Sequence, residues 1–225
     1  DSLIREFLYP RLGPGMMWER FRDHVVAAGG EVRLRSNVVG IDVEDGEVRA
    51  VVVEGAEGEE RIPCRHLISS MPLGRLVTGL RPAAPEEVLE AARSLRHRAM
   101  LVVGVIVDNP RLFPDNWIYV HDPEVRVGRI QNFRNWSREM CAEEGLTNIG
   151  LEYFCDVGDD IWCRQDESLV ELAVEELELL GLVESDQVLG GVVFRQGGAY
   201  PIYDDDYDER LDVMWDYLGG IDNLQ

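Results

Sequence analysis

Residues 38–72 read VVGIDVEDGEVRAVVVEGAEGEERIPCRHLISSMP, and Asp45-Gly46 stands there between two valine-rich alternating runs. An Asp-Gly pair in that setting marks a tight hairpin, because both turn residues take positive φ, which glycine adopts freely and aspartate tolerates. The pattern predicts a strand, the turn, a second strand, an acidic loop, and a short apolar strand over His66 to Ser69 that ends at Met71-Pro72. On the second strand Val48, Ala50 and Val52 share one face and Arg49, Val51 and Val53 the other.

Upstream, FLYPRLGPG (Phe7 to Gly15) is a Pro/Gly-rich loop, followed by a helix expected over Met16 to Ala28 with Met17, Phe21 and Val25 on one face. Gly29-Gly30 closes that helix, and Glu31 to Leu34 is expected to be a short strand leading into the hairpin. Downstream, a helical piece near Leu73 to Val77, a proline-bounded link and a helix over Glu86 to Ser94 precede Ala99 to Val107. That nearly continuous apolar run predicts a strand buried on both faces. Trp117 to Val120, Gly128 to Gln131 and Asn148 to Cys155 read as an antiparallel set, with a polar and aromatic loop over Asn132 to Ser137. Glu167 to Leu180 is an amphipathic helix that puts Leu169, Leu172, Ala173, Leu177 and Leu180 inward and Glu171, Glu175, Glu176 and Glu178 outward. Val188 to Phe194 is a strand and Tyr207 to Leu218 a helix, entered through acidic residues that suit a helix N-terminus. The fold class expected is α+β, a mixed or antiparallel sheet flanked by helices.

With 225 residues and 45% apolar side chains, the chain can bury a sizeable core. Asp and Glu number 43 against 22 basic residues, all arginine, for a formal charge of -21. Such a surface repels nucleic acid and anionic membrane. Genomic base composition and a high-salt cytoplasm both account for the lysine-free bias. With no lysine, no residue of this chain supplies a Schiff base or a lysine general base. The apolar runs are too short to span a bilayer, and the expected location is the cytoplasm. Cys64, Cys141, Cys155 and Cys163 form no CxxC pair, which leaves them as structural thiols. His24, His66, His97 and His121 lack metal-ligand spacing. Asp204, Asp206 and Asp208 open like a calcium loop, but Glu209 replaces its glycine and Trp215 its closing glutamate, so a solvated helix cap is expected instead.

The run GPGMMWERFRDHVVAAGGEVRLRSNVVGIDVEDGEVRAVVVEG, followed by LISSMP, resembles the internal segment of the flavin-dependent amine oxidase, phytoene desaturase and protoporphyrinogen oxidase superfamily. FRNWSREM, GLEYFCDVGDDIW and AYPIYDDDYDERLDVMWDYLGGIDNLQ are similar to its UDP-galactopyranose-mutase-like branch. The resemblance implies FAD as cofactor in the parent protein. It also implies a GxGxxG unit and a glycine-containing carboxy-terminal segment, neither of which occurs in these residues. The piece is therefore expected to bind FAD weakly or not at all, and to be inactive by itself. The implied division is a partial FAD-binding lobe over residues 1–72, a substrate domain over 73–200, and a helix over 201–225 returning toward the missing segment.

Residue by residue, Val38 matches the valine whose backbone holds adenine. Ser70 and Met71 match the turn that approaches the cofactor, and Gly13 and Gly15 a loop beside flavin and substrate. Arg195, Tyr200, Tyr203, Trp136 and Arg134 form the implied substrate wall, with Arg195 offering a planar fork to phosphate or carboxylate. Gly198 stands where the branch often carries a basic residue, which weakens a second phosphate clamp. No catalytic residue is assigned. Three functions remain open: an FAD-dependent oxidoreductase moving hydride from a small organic substrate, a mutase acting on a nucleotide sugar, and a non-catalytic binding module. Absence of lysine disfavours the amine-oxidase style. The hairpin's apolar faces are expected to be partly uncovered, or covered by a second copy in a homo-oligomer.

Overall fold

The computed structural model describes residues 7–55 and 58–225. In chain order the elements are α1 (Gly15–Ala27), β1 (Asn37–Glu44), β2 (Glu47–Gly55), β3 (Gly58–Pro63), α2 (Leu73–Thr78), β4 (Leu80–Arg81), α3 (Glu86–Ser94) and β5 (His97–Val107). They continue with β6 (Trp117–Tyr119), β7 (Arg129–Asn132), α4 (Phe133–Trp136), β8 (Thr147–Cys155), α5 (Asp166–Leu179), β9 (Val188–Pro201) and α6 (Tyr207–Leu218). Contacts divide the chain into two compact units, a sheet unit of Asp1–Val32 with His97–Tyr200 and a hairpin unit of Arg33–Arg96 with Pro201–Gln225. These cuts differ from the expected lobes, since residues 73–96 join the hairpin unit and the segment ahead of Arg33 joins the sheet unit.

The hairpin unit holds a mixed sheet in the order β3-β2-β1-β4, with β1 antiparallel to β2 and parallel to β4. Its turn is the one expected: Asp45 and Gly46 have φ of 52° and 75°. The acidic loop expected after β2 is instead a third strand. GEERIP pairs Val52 with Arg61 and Glu54 with Glu59, its charges facing water on an edge where they discourage further pairing. Ile41 and Val48 pack under Leu76 and Val77 of α2, Val88 and Leu89 of α3, and Met214 and Leu218 of α6. The unit's own helices thus cover the hairpin, and none of its valines is exposed. The expected uncovered face is not there.

Two predicted strands do not form. Glu31 to Leu34 stays outside any ladder and is followed by Arg35 at φ 55°. His66 to Ser69 keeps one bridge, Leu67 to Leu224, through Leu67 N donating to Asn223 O and Gln225 N to Leu67 O. Its partner is the last turn of chain, which no local pattern announces.

In the sheet unit the order is β6-β7-β8-β5-β9. β5 pairs with β8 antiparallel from Ala99–Cys155 to Val107–Thr147. Contrary to expectation, β5 is not buried on both faces. Ala99, Leu101, Val103, Val105 and Val107 are fully buried with Leu169, Ala173 and Leu177 of α5, whereas Ile106 on the other face is 41% exposed. Glu176, expected outward on α5, is buried, and its carboxylate accepts from the backbone N–H of Arg126 and Val127, which offsets the burial of the charge. Asn132 to Ser137 is a helical turn, α4, capped by the Asn132 side chain accepting from Asn135 N.

α1 ends in a Schellman motif: Gly30 N donates to Val25 O and Gly29 N to Val26 O, with Gly29 at φ 85°. Met17, Phe21 and Val25 do share a face, but α1 buries no residue at all. No described helix is long and apolar enough to cross a membrane.

Candidate functional site

In the hairpin unit, a register shift between Val38 and Gly40 leaves Val39 without a partner on β2. Such a bulge bends the strand and frees main-chain groups from the ladder. Asn37 to Ile41 line a cavity of about 440 Å³ together with Met71, Arg75, Thr78 and Gly79. A Cβ at Gly40 would lie 2.5 Å from Arg81 Nε, so a side chain there would displace that flexible guanidinium. The guanidinium of Arg81 rests in that space and donates from Nη2 to Val39 O at 3.4 Å. No acidic residue lines the cavity.

The structure thus brings Val38 and Met71 to one cavity. Ser70 is exposed, while its neighbour Ser69 accepts from Met71 N at 3.4 Å. Gly13 and Gly15 belong to the sheet unit. Gly13 makes a tight turn at φ 85° against Met140, and Gly15 opens α1 with free space around it.

In the sheet unit, the side of the sheet away from Leu101 and Leu151 carries a polar cluster. Pairing puts Tyr119 beside Arg129 and Arg129 beside Glu152. Glu152 is 2% exposed, and it accepts from Arg129 Nε at 2.8 Å and from Gln131 Nε2. The Arg129 guanidinium lies over the Tyr119 ring, 5.8 Å from its centroid. Hydrogen bonding to Glu152 foremost, with smaller contributions from Tyr119 and Tyr200, holds Arg129 even more firmly charged than usual against its partial burial. Phe154 meets Tyr200 at 6.2 Å. Tyr200 alone of these residues was singled out from sequence. The signal for the others was present in GRIQN and GLEYF, where alternation sends Arg129 and Gln131, and Glu152 and Phe154, to one face of their strands.

The other expected wall residues are elsewhere. Arg195 donates to Asp166 Oδ1, Trp162 O and Arg164 O, so its fork ties β9 to the start of α5. Arg134 donates to Leu146 O at 2.9 Å. Trp136 stacks on Tyr9 at 4.9 Å and meets Trp117 at 5.2 Å. Tyr203 lies in the hairpin unit, 75% exposed, edge-on to Tyr207. Asp204 and Asp206 take Arg210 as their partner, and no group of metal-ligating side chains occurs among the described residues.

Comparison with known proteins places this geometry. No curated protein matches the chain. Among solved structures, a reduced UDP-galactopyranose mutase superposes with a TM-score of 0.79 at 17% identity, covering 96% of this chain and 45% of that one. A putative protoporphyrinogen oxidase from Exiguobacterium sp. 255-15 gives 0.71 at 18% identity, covering 98% and 47%. An oxidoreductase from Methanosarcina mazei gives 0.63 at 15% identity, covering 83% and 43%. The chain therefore spans about half the length of the structures it matches, and at these identities the likeness is one of fold. The family model described as flavin containing amine oxidoreductase matches residues 6–203, and the chain belongs to that family.

Proposed function

We propose that this chain supplies the nucleotide-end pocket and the substrate-facing sheet of an FAD-dependent oxidoreductase. The observation that carries the reading is the cavity lined by Asn37 to Ile41 with Met71, Arg75, Thr78 and Gly79, at the bulge where Val39 has no partner on β2. Backbone amides and carbonyls suit the edge of a purine, and the match to a flavin-containing family supports FAD as the ligand. These residues fit one end of the cofactor, because the chain has no GxGxxG loop for its pyrophosphate. Bound there, FAD would supply a hydride acceptor. The chain's own part is to hold the adenine through Val38 and to orient substrate on the sheet around Arg129, Glu152 and Tyr200.

One feature favours an oxidoreductase over a nucleotide-sugar mutase. A diphosphate needs unneutralised arginines, yet Glu152 takes Arg129, and Asp166 with two carbonyls takes Arg195. A substrate of low charge fits that face better. Protein purified from its own host tests the reading. Bound-flavin absorption that bleaches with amines, alcohols or porphyrinogens supports it. Turnover of UDP-galactofuranose under reducing conditions, without such bleaching, would replace it with the mutase, and protein that never carries flavin would make it a binding module.

A further inference from the structure

On the open face of the sheet unit one row of residues runs across the strands. Trp117 of β6 stands beside Gln131 of β7, Gln131 beside Gly150 of β8, and Gly150 beside Gly104 of β5. The two glycines leave the row low, and apolar neighbours take the space: a Cβ at Gly150 would lie 2.9 Å from the Phe133 ring, and one at Gly104 3.3 Å from Val192 Cγ1. Trp117 and Val192 are 47% and 52% exposed. The strip is therefore apolar except at Gln131. Its amide has one orientation, because Glu152, paired with Arg129, only accepts and so must face Nε2 rather than Oε1. The carbonyl oxygen is turned away from Glu152, meets no donor among the described residues, and stays open to solvent.

We propose that Gln131 selects the substrate on this face, its carbonyl oxygen accepting from an O–H or N–H group of an uncharged molecule whose apolar body lies on Trp117, Phe133 and Val192. The proposal rests on the reading of this sheet as substrate-facing, and adds to it the residue that recognises the ligand and the group it recognises. Arg129 lies one row away, but Glu152 takes its charge, so the strip offers an anion no unneutralised cation. A carboxylate or phosphate would set its oxygens against the Gln131 carbonyl, and its desolvation on apolar side chains would go uncompensated. A molecule of the same shape without a donor would leave the Gln131 oxygen covered and unpaired, and that penalty makes the discrimination. Glu152 acts through Gln131, holding the amide so that an acceptor and not a donor faces the ligand.

The probes 2-naphthol, 2-methoxynaphthalene and 2-naphthoate share one ring body and differ only in the group offered to Gln131. Their binding to the 225-residue chain, followed by NMR titration at Trp117, Gln131 and Val192, tests the proposal. The naphthol should bind about fivefold more tightly than its methyl ether, the equivalent of one neutral hydrogen bond, and the naphthoate most weakly. The preference should disappear in Gln131→Leu, which keeps the volume and loses the acceptor, while the methyl ether binds no more weakly than to the wild type. Glu152→Gln can donate as well as accept, so it lets the Gln131 amide turn over and should reduce the preference. Equal affinity for naphthol and methyl ether in the wild type overturns the proposal and leaves the substrate-facing reading standing, as does a Gln131→Leu variant that keeps the full preference. Tightest binding of the naphthoate, or no shift at the sheet with any of the three, overturns both. The wild-type comparison depends on no variant, and an unchanged unfolding curve confirms that Gln131→Leu is folded.

Discussion

In the hairpin unit the cavity is lined by one continuous run of a bulged strand, Asn37 to Ile41, with a glycine where the Arg81 guanidinium rests. In the sheet unit the candidate surface is made of side chains, with Arg129 and Gln131 of one strand bonded to Glu152 of the next. A site set by the bulge of one strand is vulnerable above all to changes of register. A side-chain cluster tolerates shifts of register poorly as well, but it can also be removed one residue at a time. The two regions should therefore fail differently under mutation.

The largest effect is expected in the sheet unit. Glu152→Ala leaves the partly buried Arg129 without its partner and should cost about 3 kcal/mol in urea unfolding, the usual penalty for breaking a buried pair from one side. A loss below about 1 kcal/mol would mean that the pair is well solvated and that the two regions differ less than their geometry suggests. In the hairpin unit the sensitive positions are close approaches of backbone. A Cβ at Gly74 would lie 2.6 Å from Ala92 O, where α2 meets α3, so Gly74→Ala should cost about 2 kcal/mol by overpacking. Gly198 in β9 has open space around it, and Gly198→Ala in the same assay should be nearly neutral.

A smaller effect is expected at Asn223, whose Oδ1 accepts from Val48 N at 2.7 Å and whose Nδ2 donates to Val48 O and Arg65 O. Asn223→Ala should cost about 1 to 2 kcal/mol, and amide exchange at Val48 should accelerate. Unchanged exchange would show that the last turn does not brace β2. The smallest effect is electrostatic. The hydrogen bond from Arg126 first, then the backbone N–H of Ile161 and the charges of Arg126 and Arg164, lower Asp160 to about 2. A carboxyl depressed in the folded state adds stability above its unfolded pKa near 4 and loses it as pH falls toward 2. The stability gap between wild type and Asp160→Asn should therefore close over that range, and a gap independent of pH would reject the pairing.

How legible each region was follows from the range of the forces involved. The hairpin turn, α3 and α6 were readable because turn chemistry and helical periodicity are local. β3 was not, since GEERIP has an acidic, loop-like composition and becomes a strand only because β2 offers it an edge. Leu67 meets Leu224, a partner far along the chain that its own neighbours do not announce. Glu176 reads as outward by periodicity, and it is buried because two backbone amides far along the chain require an acceptor. At the candidate site, Val38, Met71 and Tyr200 were expected from family resemblance, and the cluster of Arg129, Gln131 and Glu152 around Tyr200 emerges only once β7 and β8 pair.

The sequence by itself determined the α+β class, the hairpin with its Asp45-Gly46 turn, the amphipathic helices, the lack of lysine chemistry and the flavoprotein resemblance. All of these rest on residue type or on spacing within a few residues. The tertiary structure alone decided that the apolar faces of the hairpin are covered by α2, α3 and α6. It also decided that Glu152 neutralises Arg129 and that Arg195 ties β9 to α5. Burial and charge pairing depend on where distant segments meet, and only the folded chain fixes those distances.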